Sequence, residues 1–394
     1  MTIQSSNFIY SVCNPINTNI SEGISLFTVC MNREEFLEEA LKTWITISDV
    51  DEIIIIDWSS DKSLIPLIQK YQNGKIILAI VSGQEIFNLS SSYNLAARLT
   101  TKTKIFKIDS DIKISKDFFT KNSISPGTFI SGNWEKARNE NEKHLNGNVF
   151  LYRVDYFKVN GFNEFLRTYG WDDSDLFERL ESIGLHKKDI DNDTLQHIEH
   201  GGRTKFIKKT DKIRNINDND LALFHIRMNI HISKLLPKWT KENKMSEFLI
   251  EKAGNYTLTC IRTSEDKNLL TGQLLLKSEK LAVNDMLKRN GIIIESDILR
   301  DISHDEIFEL YNLYLANNKT MVSLFLVDIS NKYSNQTKIK FEKKSKKLLR
   351  KDNHLKRRED IMKQKVGLLK AKTISIFFKI WHAILWPTRK ILGK

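Results

Sequence analysis

Between Ile24 and Asp111 apolar runs alternate with amphipathic ones, and this rhythm limits the fold more than any other feature of the chain. Ile24–Cys30 (ISLFTVC) reads as a strand. Glu52–Asp57 (EIIIID) is a continuous apolar run closed by an acid, the pattern of a parallel strand buried on both faces. Lys75–Val81 (KIILAIV) and Ile105–Ile108 (IFKI) supply two more strands, and Glu34–Ile47, Ser63–Tyr71 and Ser91–Leu99 suit helices between them. The alternation predicts an α/β, Rossmann-like domain with a mostly parallel sheet flanked by helices on both faces. Ligands on such sheets bind beyond the carboxyl ends of the strands, where Asp57 and Asp109-Ser110-Asp111 would sit.

A second informative stretch runs from Asn146 to Leu180. Asn148–Arg153 suits a strand, Val154–Asn160 a short helix and Asp173–Ile183 a helix opened by acids. Asp172, Asp173 and Asp175 follow a Gly-Trp step, which reads as the lip of a pocket; acids at a helix start also favour the macrodipole, so capping is the competing reading. Two carboxylates at i and i+2, such as Asp109 and Asp111, can hold a hard divalent cation that also binds a diphosphate. His197 and His200, three residues apart, can complete a carboxylate–imidazole set of the kind that suits Mn2+. Either histidine alone reads more readily as a packed or surface imidazole than as a ligand. Asp173 is the candidate general base, because repulsion from adjacent Asp172 raises a carboxyl pKa toward a useful range. The chain carries neither a P-loop nor GxGxxG, so a glycine-rich phosphate cradle is unsupported.

The net charge of +12 is unevenly placed: residues 338–394 hold 19 Lys and Arg against 4 Asp and Glu, leaving 42 against 45 in residues 1–337. The basicity therefore belongs to the tail. Within it, Val366–Leu392 sets Ile374, Phe377, Trp381 and Ile384 on one helical face among lysines, with Lys379 and Pro387 breaking the apolar run. That pattern predicts a basic amphipathic helix lying on an anionic membrane surface rather than spanning it. No recognised nucleic-acid-binding fold accompanies the basic arm, so no nucleic-acid partner is expected. Cys13, Cys30 and Cys260 are scattered, which implies neither disulfides nor a zinc site. No signal-peptide pattern opens the chain, and a cytoplasmic location at the inner face of the membrane is expected. The expected organisation is a catalytic domain at 1–240, a small α/β or helical accessory region at 250–330 with strands at Tyr256–Arg262 and Met321–Val327, and the tail at 338–394.

Taken in order, three segments resemble a known family. They are Asn146-Gly147-Asn148, Arg153–Glu164 (RVDYFKVNGFNE) and Gly170–Leu176 (GWDDSDL). From about Ser25 to Gly202 the chain resembles GT-A fold nucleotide-sugar glycosyltransferases. It is similar to glycosyltransferase family 2 in its N-terminal pattern and to the C-terminal half of beta-1,4-galactosyltransferases beyond it. The resemblance implies an inverting, metal-dependent transfer from a UDP-sugar to a glycan or glycolipid hydroxyl, with Mn2+ or Mg2+ as cofactor. It implies Asp111 and His200 as metal ligands with His197 as a second imidazole candidate, and Asp173 as the base. Asp172 and Trp171 would meet the acceptor, and Asn32, Arg33, Asp57, Asp109 and Gly147 the nucleotide sugar. Phe87-Asn88 followed by Asn94 echoes a further family segment. The chain departs from the pattern at Asp57-Trp58-Ser59-Ser60, at Leu89 and at Ser174. The alternatives are a non-catalytic sugar- or nucleotide-binding protein on the same fold, or a membrane scaffold acting through the tail.

Overall fold

The computed structural model describes residues 10–11 and 19–333, apart from 72, 86, 167–168, 201–215, 255–256, 264–271, 295 and 318. The expected membrane-associating tail at 338–394 lies outside the described residues. Among the described residues no helix is long and apolar enough to cross a membrane.

One compact unit comprises the described residues up to 200 together with 232–263. Its sheet has ten strands in the order β1 (Tyr10–Ser11), β11 (Phe248–Lys252), β12 (Thr257–Arg262), β4 (Ile76–Val81), β3 (Val50–Trp58), β2 (Ser21–Cys30), β5 (Lys102–Lys107), β8 (Val149–Tyr152), β7 (Thr128–Ser131) and β9 (His186–Asp189). The central five, from β12 to β5, are mutually parallel, and β8 then pairs antiparallel to β5. The mostly parallel α/β sheet read from the sequence is the one observed.

The isoleucine run explains why both faces are covered. Ile53 and Ile55 join one core cluster with Leu37, Leu41 and Trp44 of α1 (Glu34–Trp44) and Leu67 of α2 (Ile65–Tyr71). Ile54 and Ile56 join the other, with Tyr93 and Ala96 of α3 (Leu89–Leu99) and Leu176 and Leu180 of α7 (Asp172–Ser182). Strand side chains alternate between faces, so a strand needed by both layers has no position left for a polar residue. Each of these fully buried isoleucines contributes roughly 1.5–3 kcal/mol. Short helices α4 (Phe118–Lys121), α5 (Glu140–Lys143) and α6 (Arg153–Lys158) fill the connections.

Two pairings bring distant segments to the carboxyl end of the sheet. Because β5 and β8 are antiparallel, with Lys107 opposite Val149, the end of β5 meets the start of β8 and puts Asp109 beside Gly147 and Asn148. The small two-stranded sheet of β6 (Ile112–Ile114) and β10 (Leu195–His197) sets His197 opposite Ile112 and thus next to Asp111.

The motif-like run through Glu164 is a backbone device as much as a functional one. Gly161 has φ +59°, and a Cβ there would lie 2.3 Å from Asn94 Oδ1, so only glycine fits. Asn94 accepts from Tyr156 Oη (2.7 Å) and the Phe162 N–H (2.8 Å), and donates to Glu164 Oε1 (2.8 Å). Arg179 donates to the Val159 and Gly161 carbonyls (2.6 and 2.7 Å) and to Asp175 Oδ2 (2.8 Å), and Asp175 Oδ1 also accepts from Asn163 Nδ2 at 3.2 Å. Asp175 is thus a scaffold carboxylate holding the acid-bearing helix against the glycine turn. Arg179→Met is expected to cost about 3–5 kcal/mol, because Asp175 is left buried without its cation. The urea midpoint measures this, and a loss under about 1 kcal/mol would contradict the pairing.

The described residues at 216–231 and 273–333 make a second compact unit. It contains most of α8 (Asp218–Leu235) and α9 (Gly272–Arg289), with α10 (Ser296–Asp301), α11 (His304–Leu315) and α12 (Lys319–Tyr333). Ser303 and Glu306 close a capping box on α11. Two expectations for the 250–330 region change. The strand at Thr257–Arg262 pairs with β4 and extends the main sheet. Met321–Val327, expected as a strand, is helical: Val322, Leu326, Ile329 and Ser330 are buried, a helical spacing that the β-branched and apolar content concealed.

His225 of α8 is 5 % exposed, and neither ring nitrogen has a hydrogen-bond partner among the described residues. Burial pushes its pKa down to about 4. The stability tied to the neutral ring is therefore full above the ordinary value of about 6.5 and is lost as pH falls through about 4. His225→Leu is expected to remove up to about 3 kcal/mol of this acid sensitivity, read as a smaller difference in unfolding free energy between neutral and acid solution.

Candidate active site

The site forms around two carboxylates two residues apart that turn to different partners. Asp111, after β5, is buried. Its Oδ2 meets Arg33 Nη1 at 2.5 Å and His200 Nε2 at 2.9 Å, with His197 Nε2 at 3.9 Å. Arg33 stands at the N-cap position of α1 without capping it, and its Nη1 also lies 2.7 Å from His200 Nε2. Burial works to raise the Asp111 carboxyl, but the His200 bond and the Arg33 charge lead the influences that outweigh it and hold it below its ordinary value. Burial pushes His197 down to about 4, against the pull of Asp111 and with the help of His144 and His200. His197 is therefore a neutral imidazole at physiological pH.

Asp111, His197 and His200 offer one ligand atom each, all within 4.8 Å of one another. His197 Nδ1 is buried with no hydrogen-bond partner among the described residues. One carboxylate and two imidazoles fit a divalent transition ion such as Mn2+ better than Mg2+, which prefers oxygen ligands. Phe36 packs on His200 (4.9 Å between centroids) and His144 stacks on His197 (4.3 Å), fixing both rings. A cation at these ligands has to displace the Arg33 guanidinium or lie against it. Arg33→Met is accordingly expected to tighten Mn2+ binding to the donor-free protein, measured by the electron paramagnetic resonance of free Mn2+. Weaker binding in that variant would show that Arg33 supports the site instead.

The second cluster is acidic around one buried cation. Lys107 Nζ, at the end of β5, meets Asp109 Oδ1 (2.8 Å), the Gly147 carbonyl (2.8 Å) and Asp173 Oδ1 (3.3 Å), and lies 4.4 Å from the centre of the Tyr93 ring. Tyr93 Oη donates to Asp109 Oδ1 at 2.8 Å, and the Asp109 N–H donates to Asn148 Oδ1 at 3.1 Å. A Cβ on Gly147 would come within 2.8 Å of Asp173 Oδ2 and 3.0 Å of Asp109 Oδ2, so the bare glycine lets the acids close around it. Asp172 and Asp173 open α7 directly after Gly170 (φ +82°) and Trp171 (φ +69°), two left-handed residues that turn the chain sharply into the helix. Burial, with help from Asp172 and Asp109 and against Lys107, pushes the Asp173 carboxyl up to about 8. Asp172 is raised as well, first by burial.

Asn32 and Asp57 organise a loop at the carboxyl ends of β2 and β3. Asp57 accepts from the Ser60 N–H at 3.0 Å, and Asn32 (φ +57°) accepts from the Asp61 N–H at 2.7 Å while its own N–H reaches Ser60 Oγ at 3.1 Å. The residues expected at a site thus fall into three groups: Arg33, Asp111, His197 and His200; Asp109, Gly147, Asp172 and Asp173, with half-buried Trp171 leading into them; and Asn32 with Asp57. Lys107, Tyr93, Asn148 and His144 were not expected there. A lysine two residues before an Asp-x-Asp, in an otherwise apolar strand end, is the one local signal among them.

Residues 25–121 match the family model of glycosyl transferase family 2. Residues 131–201 match the model described as the N-terminal domain of galactosyltransferase, over the segment where a C-terminal half was expected. No curated protein matches significantly. Among solved structures, the chain is similar to the catalytic domain of Drosophila beta1,4galactosyltransferase 7 in complex with xylobiose, at 15% identity and a TM-score of 0.42, over 63% of this chain and 97% of that one. A mutant of that enzyme with manganese, UDP-Gal and xylobiose is similar at 14% identity, with the same score and coverage. GalNAc-T7 with UDP, GalNAc and Mn2+ is similar at 12% identity and a TM-score of 0.40, over 55% of this chain and 48% of that one. Likenesses of this strength leave the assignment of residues to the geometry. Both family models fall on the segments that build the two clusters, and they mark the chain as a glycosyltransferase.

Proposed function

We propose that the protein transfers a sugar from a UDP-sugar to a hydroxyl of a glycan or glycolipid, with inversion at the anomeric carbon. The observation that carries this reading is the division of labour across Asp109 and Asp111. Asp111 turns to two imidazoles, a cation site, while Asp109 turns to Lys107 beside Asp173, a half-buried carboxyl raised into the range where a base works. A divalent ion held by Asp111, His197 and His200 would neutralise charge on the departing diphosphate. Asp173 accepts the proton of the acceptor hydroxyl as its oxygen bonds to the anomeric carbon. The bond to the diphosphate breaks on the opposite face, and UDP leaves with the electron pair. Trp171 and Asp172 border the acceptor side, and Asn32, Arg33, Asp57, Asp109 and Gly147 the donor side.

UDP release across a panel of nucleotide sugars, with and without Mn2+, tests the reading. Metal-dependent release with one UDP-sugar supports it. Binding without release from any donor would favour a sugar- or nucleotide-binding protein.

The excess of 15 positive charges in residues 338–394, with Trp381 and Trp386 among them, supports action at the cytoplasmic face of a membrane, on a lipid-linked or surface glycan. Deleting 366–394 is expected to abolish flotation with anionic vesicles and to spare transfer to soluble acceptors. Flotation that persists would place the membrane contact elsewhere.

A further inference from the structure

We propose that Lys107 is the positioning residue of the base: its ammonium ties Asp173, Asp109 and the Gly147 carbonyl into one cluster and sets a positive charge against the base. The inference rests on the reading of Asp173 as the base. Lys107 is fully enclosed, 2 % exposed, and an ammonium has three donors. All three are matched, by Asp109 Oδ1, the Gly147 carbonyl and Asp173 Oδ1. Taking Asp173 Oδ1 leaves Oδ2, beside the bare Gly147, outside the bond to Lys107.

Stability alone gives no reason for a lysine here. A buried ion pair is worth little more than a well-packed apolar side chain, and the preceding residues of the strand, Ile105 and Phe106, are apolar and buried. The charge has a purpose in the site. Asp173 is faced by Asp172 on its own helix, by Asp109 from the end of β5 and by the Tyr93 hydroxyl from α3. Burial and the two carboxylates all favour its protonated form, and Lys107 is the group pulling the other way. Lys107 itself stays charged: burial works to lower its pKa, but Asp109, Asp173 and Asp172 raise it above the ordinary lysine value.

The test is the pH profile of kcat/KM for Lys107→Met and Lys107→Gln, with folding checked by circular dichroism, alongside Asp173→Asn. The acid limb is expected to move to higher pH by about one unit or more in both neutral variants, since the base now needs a more alkaline solution to ionise. Lys107→Arg, which keeps the charge, is expected to hold the limb in place even if its rate falls. A limb that stays put in a folded, active Lys107→Met overturns the inference while leaving the base reading intact, provided Asp173→Asn is inactive. If Asp173→Asn transfers normally, it is the base reading that fails. Should neither neutral variant fold, the 13Cε shift of Lys107 in the wild-type protein decides. A charged ammonium throughout the active pH range supports the proposal, and a neutral amine below about pH 10 overturns it.

Discussion

Asp173→Asn is expected to lower kcat by roughly 10²–10⁴-fold while leaving UDP-sugar affinity nearly unchanged. The substitution is isosteric, and its amide oxygen can still accept from Lys107, so the cluster around Gly147 keeps its shape. What disappears is the only property the proposed reaction needs from this side chain, an affinity for the acceptor proton. Initial rates at saturating donor and acceptor, with a separate measurement of donor binding, separate the two effects, and full turnover by the variant would remove Asp173 from the mechanism. The pH dependence gives a second readout. With the carboxyl pushed up to about 8 by burial and then by Asp172 and Asp109, the base form accumulates as pH rises, so wild-type kcat/KM should climb through neutrality and level off above that value. Stability runs the opposite way. A carboxyl whose folded pKa is raised contributes stability that is full below the ordinary carboxylate range and is lost as pH rises through about 8. Asp173→Asn should therefore lose less stability than wild type between neutral and alkaline solution.

Much of this site was legible before any coordinates, and the reasons are physical. The EIIIID run could belong only to a strand covered on both faces, and that fixed the carboxyl end of the sheet as the place to look. The spacing of Asp109 and Asp111, and of His197 and His200, placed ligands on short segments whose geometry is local. What stayed hidden depends on non-local pairing or on side-chain burial. β12 joins β4 across roughly 180 residues of sequence, and nothing local to Thr257–Arg262 announces that pairing. Lys107 reads in sequence like a lysine at a strand end reaching for solvent, yet it is enclosed because β8 and α7 close over it with acceptors. Asp175 belongs in sequence to the acid cluster. Only its bonds to Arg179 and Asn163 separate it, as scaffold, from Asp173, two residues earlier.

Asp111→Asn is expected to weaken Mn2+ binding by more than the roughly 10–100-fold that loss of an outer-shell partner costs, because it removes the one charged ligand of the three. Transfer should fall in step at low Mn2+ and recover in part at high Mn2+, since His197 and His200 remain. That recovery distinguishes a metal ligand from a residue that merely shapes the sheet end, whose loss added metal would not repair. His200→Ala should behave similarly and more mildly, with one imidazole gone and the carboxylate kept. The two histidines are not equivalent. His200 already bonds Asp111 and lies against Arg33, whereas His197 is held neutral by burial and has a buried nitrogen without a partner. His197 thus reaches a cation without first giving up a hydrogen bond among the described residues, while His200 has to exchange its contact with Asp111. Mn2+ titrations of the two alanine variants against Asp111→Asn measure the ranking. Unchanged affinity in Asp111→Asn would exclude this cluster as the cation site.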